Sequence, residues 1–259
     1  MSATTRSRWR FAATLAATAM FTAAAQAQAP DAAVSTIAPR APDGKPDLSG
    51  IWQVLNTAAW DIQDHHARKG VPAGIGVVDR NEIPYQPWAL ERRNENARTR
   101  DVADPETRCY LPGVPRITYM PYPFQIVQTP TQISFLYEYV HAVRNAYVGS
   151  AHPAGPLEWW MGDSRAHWDG DTLVVDVVHF TDRTWLDRAG NFHSEALHVV
   201  ERYTRTSRDI MRYEVTIEDP NVFTRPWTMR MPLYRRQEPN LQLLEYECYA
   251  FDNEFHVSQ

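Results

Sequence analysis

Three groups of residues have types and spacings suited to proton chemistry. His179 leaves an apolar run and enters the polar stretch Thr181-Asp182-Arg183-Thr184-Trp185, which sets an imidazole near the Asp182 carboxylate. A histidine beside a carboxylate can be tuned to exchange protons near neutral pH, as a general acid or base requires. His193-Ser194-Glu195-Ala196-Leu197-His198 sets two imidazoles around a carboxylate. That segment offers an acid/base pair or metal ligands, but it is not His-Glu-x-x-His, and the sequence does not identify the third or fourth ligand that a metal site needs. Its alternative reading is a loop whose polar groups hydrogen-bond backbone at the rim of a sheet. Glu201 is the third. Alternation along 195–205 turns it inward with Leu197, Val199 and Tyr203, and a carboxylate there must be paired or protonated.

Residues fit to hold a ligand lie nearby. Ile133, Phe135, Tyr137 and Tyr139 share one strand parity, an aromatic wall with two hydroxyl handles. His141 and Arg144 follow, and Arg144 can hold an anion or phenolate, although an exposed hairpin position explains both equally well. Trp185 lies in the loop after His179, Tyr213 on the inward parity Met211, Tyr213, Val215, Ile217, and Trp227 beside a turn. Gly162-Asp163-Ser164 resembles the nucleophile block of one class of secreted esterases. It lies mid-chain and leads into a hairpin, and the Asp-x-x-His partner is missing near the end, so a turn is the expected reading. Gly-x-Gly-x-x-Gly, Gly-x-x-x-x-Gly-Lys and Gly-x-Ser-x-Gly are all missing from the sequence, which leaves nucleotide cofactors and phosphoryl transfer without support. No organic cofactor is expected, and a metal only at 193–198.

The elements that must carry these residues are mostly strands. From Arg116 onward short runs rich in Val, Ile, Tyr, Phe, Trp and Thr alternate with turn residues, the pattern of an antiparallel all-β domain. A first strand is expected to begin within Pro46 to Trp52, with globular structure starting at Leu48, and further strands over 124–128, 132–139, 143–148, 166–168, 172–180, 195–205, 209–218, 226–235 and 241–250. Asp169-Gly170 marks the clearest hairpin. So many consecutive strands favour closure, an up-and-down barrel, with a β-sandwich as the alternative. Between Thr57 and Pro115 the pattern is irregular apart from one surface helix from Pro87 to Arg100, leaning on Trp88 and Leu90.

Arg6, Arg8 and Arg10 before the apolar stretch 11–25 and Ala25-Gln26-Ala27 read as a signal peptide over 1–27. A flexible leader over 28–46 and a single β-barrel domain over 47–259 complete the organisation. Cleavage removes three Arg and no acid, taking the formal charge from −5 to −8, which disfavours nucleic acid and anionic membranes. With no later apolar stretch long enough to span a bilayer, the expected location is periplasmic or secreted. In that oxidising compartment Cys109 and Cys248 either pair or remain two buried thiols.

Pro46 to Trp52, Asp163 to Phe180, Thr184 to Asp187, His193 to Arg202 and Thr216 to Trp227 together resemble a family of uncharacterised secreted bacterial proteins. The resemblance implies a shared fold and transfers no catalytic residue. Gly50-Ile51-Trp52 is separately similar to the Gly-x-Trp opening of lipocalins, which implies a lipocalin-like β-barrel. Such a barrel would enclose a small apolar molecule, aromatic or terpenoid. The expectation is acid/base lyase, isomerase or hydratase chemistry centred on His179 and Glu201. Its competitors are a carrier with the same cavity and no turnover, and a structural envelope protein whose interior is filled.

Overall fold

A computed structural model describes residues 37–248 with the exception of Lys69. The expected signal peptide lies outside the described residues, and so do the last two positions of the strand expected over 241–250.

Nine strands close into a barrel in chain order: β1 (Gly50–Gln53), β2 (Phe124–Gln128), β3 (Gln132–Tyr137), β4 (Val143–Val148), β5 (Asp163–Asp169), β6 (Thr172–Val178), β7 (His198–Arg205), β8 (Ile210–Glu218) and β9 (Trp227–Arg235). The expected all-β, lipocalin-like barrel is therefore present. Strict up-and-down alternation is not, because a closed ring of an odd number of strands cannot alternate throughout. The mismatch falls between β4 and β5, which run parallel with Ala146 opposite Ser164, while every other neighbour is antiparallel. A parallel pair needs a crossover from one rim to the other. Residues 149–162 provide it along the outside, bonding back through Trp159 N–H to the His179 carbonyl at 2.9 Å.

The tenth expected strand does not form over its described residues. There, 241–248 makes a single-residue bridge, Tyr246 to Tyr139, and Leu244 is 71 % exposed. Its alternation finds no free edge, since β1 and β9 have already paired. Cys248 ends this segment in a disulfide with Cys109, with Cα atoms 5.7 Å apart. Closing a loop with a sequence separation of 139 residues contributes roughly 2–4 kcal/mol.

Strand parity sorts the side chains. Phe124, Ile133, Phe135, Leu173, Val175, Val199, Tyr203, Met211, Tyr213, Val215, Met229 and Leu233 turn into the lumen and are fully buried or nearly so. Gly170 (φ 58°) opens the two-residue turn between the paired Asp169 and Thr172, so the expected hairpin is in place. Gly162 (φ 65°) has no substitute, because a Cβ would lie 2.7 Å from Val177 and 2.9 Å from the Phe180 ring.

Residues 54–123 gather at the rim where β1 ends and β2 begins, around Ile62, Val78, Ile117 and Tyr119. Within them the helix α1 (Pro87–Ala103) starts with Pro at its first turn and stops before Pro105. It buries Ala89 and Asn96 rather than Trp88 and Leu90, which are 53 % and 48 % exposed. Asn96 donates to the Gly190 carbonyl at 3.2 Å, so a polar contact rather than an apolar stripe holds the helix down. At the opposite rim Arg40 bridges Pro46 and forms two 2.6 Å bonds with Asp171. Among the described residues no helix is long and apolar enough to cross a membrane.

Candidate functional site

The lumen expected to enclose a ligand is occupied by its own side chains. A void large enough for an aromatic molecule would leave accessible surface on the groups lining it. Phe135, Glu201, Tyr203, Met211, Tyr213, Val215 and Leu233 have none. Glu201 is paired, as its inward parity required, by Arg144 from across the lumen. Arg144 donates to Glu201 through both terminal nitrogens, Nη1 at 3.2 Å and Nη2 more closely. Its Nε donates to Ser164 Oγ at 2.8 Å. The hydroxyls of Tyr203 and Tyr213 donate to Glu201 Oε1 at 2.9 and 2.6 Å. Burial, then the Glu201 charge, pushes both tyrosines well above their ordinary range. Burial works against the Arg144 cation, and Glu201 and the tyrosines more than offset it.

Several sequence candidates are thereby engaged in structure rather than open to a substrate. Arg144 is neither exposed nor free for an anion. Ser164 is buried as an acceptor, which removes it as a nucleophile. Tyr137 is buried beside Phe124 and Phe135, and Trp227 is buried on Phe223 with ring centroids 5.3 Å apart. Tyr139 lies beyond the end of β3 and packs on Tyr122 and Tyr246 outside the lumen. His141 is exposed, 3.4 Å from Glu247. Trp185 bridges Phe192 in the 184–192 loop, and Asp182 is exposed.

His193 is also fixed. Its Nδ1 donates to the Ser194 carbonyl at 2.9 Å, which leaves Nε2 to accept from the Thr184 hydroxyl at 2.7 Å. Burial lowers its pKa and keeps the ring neutral. With both nitrogens used, His193 offers no lone pair to a metal beside Glu195 and His198.

The candidates that do converge are outside the barrel, at the rim where β6 ends. His179, Glu195 and His198 line one cleft of about 320 Å³ together with Glu158, Leu157 and Phe180. His179 has left-handed backbone (φ 63°), an uncommon state for a non-glycine residue that local contacts must hold. Its Nε2 donates to the Pro153 carbonyl at 3.2 Å, so in the neutral ring Nδ1 keeps the lone pair. Trp159 stands edge-on to it at 5.9 Å. Glu201 is on the other side of the sheet wall, and His179 does not approach it.

Along that outer wall runs a chain of alternating acids and imidazoles. His198 Nε2 meets Asp176 Oδ2 at 2.9 Å, Asp176 Oδ1 meets His152 Nε2 at 2.9 Å, and His152 Nδ1 meets Asp163 Oδ2 at 2.6 Å. Arg165 closes the far end on Asp163, and Glu218 stands 3.7 Å from His198 Nδ1. The His198 hydrogen bond, first among several causes, holds Asp176 below its ordinary pKa, and Asp176 in turn raises His198. Burial opposes the Asp163 charge, and Arg165 and His152 outweigh it. His152 had no signal in the sequence: it is a lone histidine among Ala, Pro and Gly, placed only once the crossover is known.

A second acidic centre lies under the loop after β6. Asp187 accepts from the backbone of Ile62, Ala189 and Asn191 and from the Asn191 amide, while burial first and Asp61 second push its pKa up to about 6. Every oxygen lone pair there faces a donor, so it ties the loop rather than meeting a substrate. No protein-family model matches the chain, and no curated protein sequence matches it.

Proposed function

We propose that this chain is a periplasmic or secreted enzyme that performs acid/base chemistry, of the lyase, isomerase or hydratase kind, without an organic cofactor. Its substrate is a small apolar molecule, aromatic or terpenoid, held outside the barrel beneath the 149–162 crossover. The observation that carries this reading is His179, fixed by Pro153 with its Nδ1 lone pair free in a cleft shared with Glu195 and His198. In this scheme Nδ1 of His179 takes the substrate proton, and His198, charged through Asp176, supplies one. The 163–165 end of the chain borders a neighbouring groove of about 630 Å³ lined by Val143, Tyr147, Leu157, Trp159, Trp160 and Met161, which suits an apolar ring. The disulfide supports the oxidising location.

The competing reading is binding without turnover at the exposed Tyr147, Leu157 and Trp159, since the filled lumen leaves no interior cavity for a carrier and matches instead the structural envelope protein. Deuterium wash-in separates the two without advance knowledge of the product. In deuterium oxide, with a panel of aromatic and terpenoid ketones and alkenes, the protein should place deuterium on one substrate carbon. His179→Asn should slow that by at least about 100-fold while leaving the fold intact. Equal exchange by the variant would remove His179. Ligand-induced change in tryptophan fluorescence with no exchange would favour the carrier.

A further inference from the structure

At the rim opposite the His179 cleft, three arginines meet where strands β7, β8 and β9 and the approach to β1 come together. Arg205, Arg208 and Arg235 line a pocket of about 530 Å³ with Asp47, Ser49 and an apolar wall of Ile37, Ala38 and Pro39. Arg205 is only 6 % exposed and, among the described residues, pairs with no carboxylate. It donates to the main-chain carbonyls of Asp47, Ser207 and Arg208 and lies 5.1 Å over the Trp52 ring. Carbonyl dipoles hold this guanidinium in position but do not cancel its charge.

Arg235 is also incompletely matched. Among the described residues its buried Nε has no hydrogen-bond partner, and its Nη1 is 3.6 Å from Asp209 Oδ1, an oxygen itself without a hydrogen bond among them. The Asp47 carboxylate is occupied by the Ser49 backbone N–H at 2.9 Å. Three cations thus face two acids in a chain whose formal charge is −5. Burial first, and then the like charges of Arg235 and Arg208 against the help of Asp47 and Asp209, lowers the pKa of Arg205. Cations held together against that repulsion are relieved by an anion, and guanidinium forks match planar or tetrahedral oxyanions.

We propose that this pocket binds an oxyanion, a phosphate, sulfate or carboxylate group carried by a small molecule whose apolar part rests on Ile37 to Pro39. Arg208 and Arg235 contact the anion directly, and Arg205 supplies a fixed field beneath it. The site is independent of the chemistry proposed at His179 and occupies the opposite rim.

Calorimetric titration of the protein with inorganic phosphate, sulfate and acetate, each against chloride at constant ionic strength, tests this. One of the three should give saturable heat and raise the melting temperature, and the order of affinities identifies the headgroup. Arg208→Gln, at an exposed position, and Arg235→Gln should each weaken binding at least tenfold, with Arg235→Lys intermediate because it keeps charge and loses the fork. Arg202→Gln, on the outer wall and paired with Asp169, should bind as the unaltered protein does. Responses to all three oxyanions no larger than to chloride, or unchanged affinity in both glutamine variants, would overturn the proposal.

Discussion

Acidic and basic side chains meet twice in this barrel, once across the lumen and once on the outer wall, with different results. Inside, Arg144 and Glu201 are 3 % and 0 % exposed, and two tyrosine hydroxyls add their bonds to one carboxylate oxygen, Oε1. Outside, Asp176 and His198 share a similar pairing but each side chain keeps 36 % of its surface. Removing water makes the first pair all or nothing, because any change of protonation strands a charge in a low dielectric. Water at the second pair lets protons come and go, which suits the proton-supplying role proposed for His198.

The largest effect expected from this contrast is at Glu201. Glu201→Ala strands the Arg144 cation and should destabilise the fold by about 3–5 kcal/mol in urea unfolding. Joint replacement with Arg144→Met, Ser164→Ala, Glu201→Leu, Tyr203→Phe and Tyr213→Phe should lose much less, since the bonded polar groups are removed together. If the single variant were as stable as the parent, the lumen would have to be hydrated, and the contrast would fail.

A smaller effect is expected outside. Asp176→Asn should change stability by no more than about 1 kcal/mol, in the range of partly exposed pairs, yet return the His198 titration toward its ordinary value in a histidine NMR experiment. The pH dependence sharpens this. Asp176 titrates below its ordinary 3.8, so its contribution is present above that value and disappears as pH falls. His198 titrates above 6.5, so its contribution is present below 6.5 and disappears as pH rises through the raised value. Melting temperatures should therefore show both limbs, and Asp176→Asn should flatten them. His193 has the opposite sign: it is buried neutral, and its contribution is lost as pH falls below 6.5. His193→Gln should remove an acid limb without touching the neutral one.

Much of the wall could be read from residue types because alternation is a local signal. The inward faces of β3, β7 and β8 follow directly from it, as does the need of Glu201 for a partner. The partner itself was not legible: Arg144 reaches Glu201 across the lumen from a strand that is not its neighbour, and no local pattern encodes that. In β6 both faces are apolar, so parity could not decide which way Asp176 points or on which side His179 emerges. The parallel pair follows from the parity of the strand count, which depended on whether 241–250 joined the sheet. Candidate groups at 179 and 195–198 were visible as residue types, whereas His152 and the arginine pocket needed the crossover and the rim to bring distant segments together.

The barrel closes where β1 meets β9 through two residue pairs, Trp52 with Arg235 and Gln53 with Tyr234, and a further bond from the Arg236 N–H to the Ile51 carbonyl at 2.8 Å. These partners are roughly 180 residues apart, so nearly the whole wall has to be in place before their contact offsets the entropy of bringing the ends together. Time adds a second meaning to the position of Arg235. It is the closing residue of the seam, and an oxyanion shared with Arg208 would lie across the last contact to form and the first to part. Binding there would register as slower unfolding, with little change in the rate of folding.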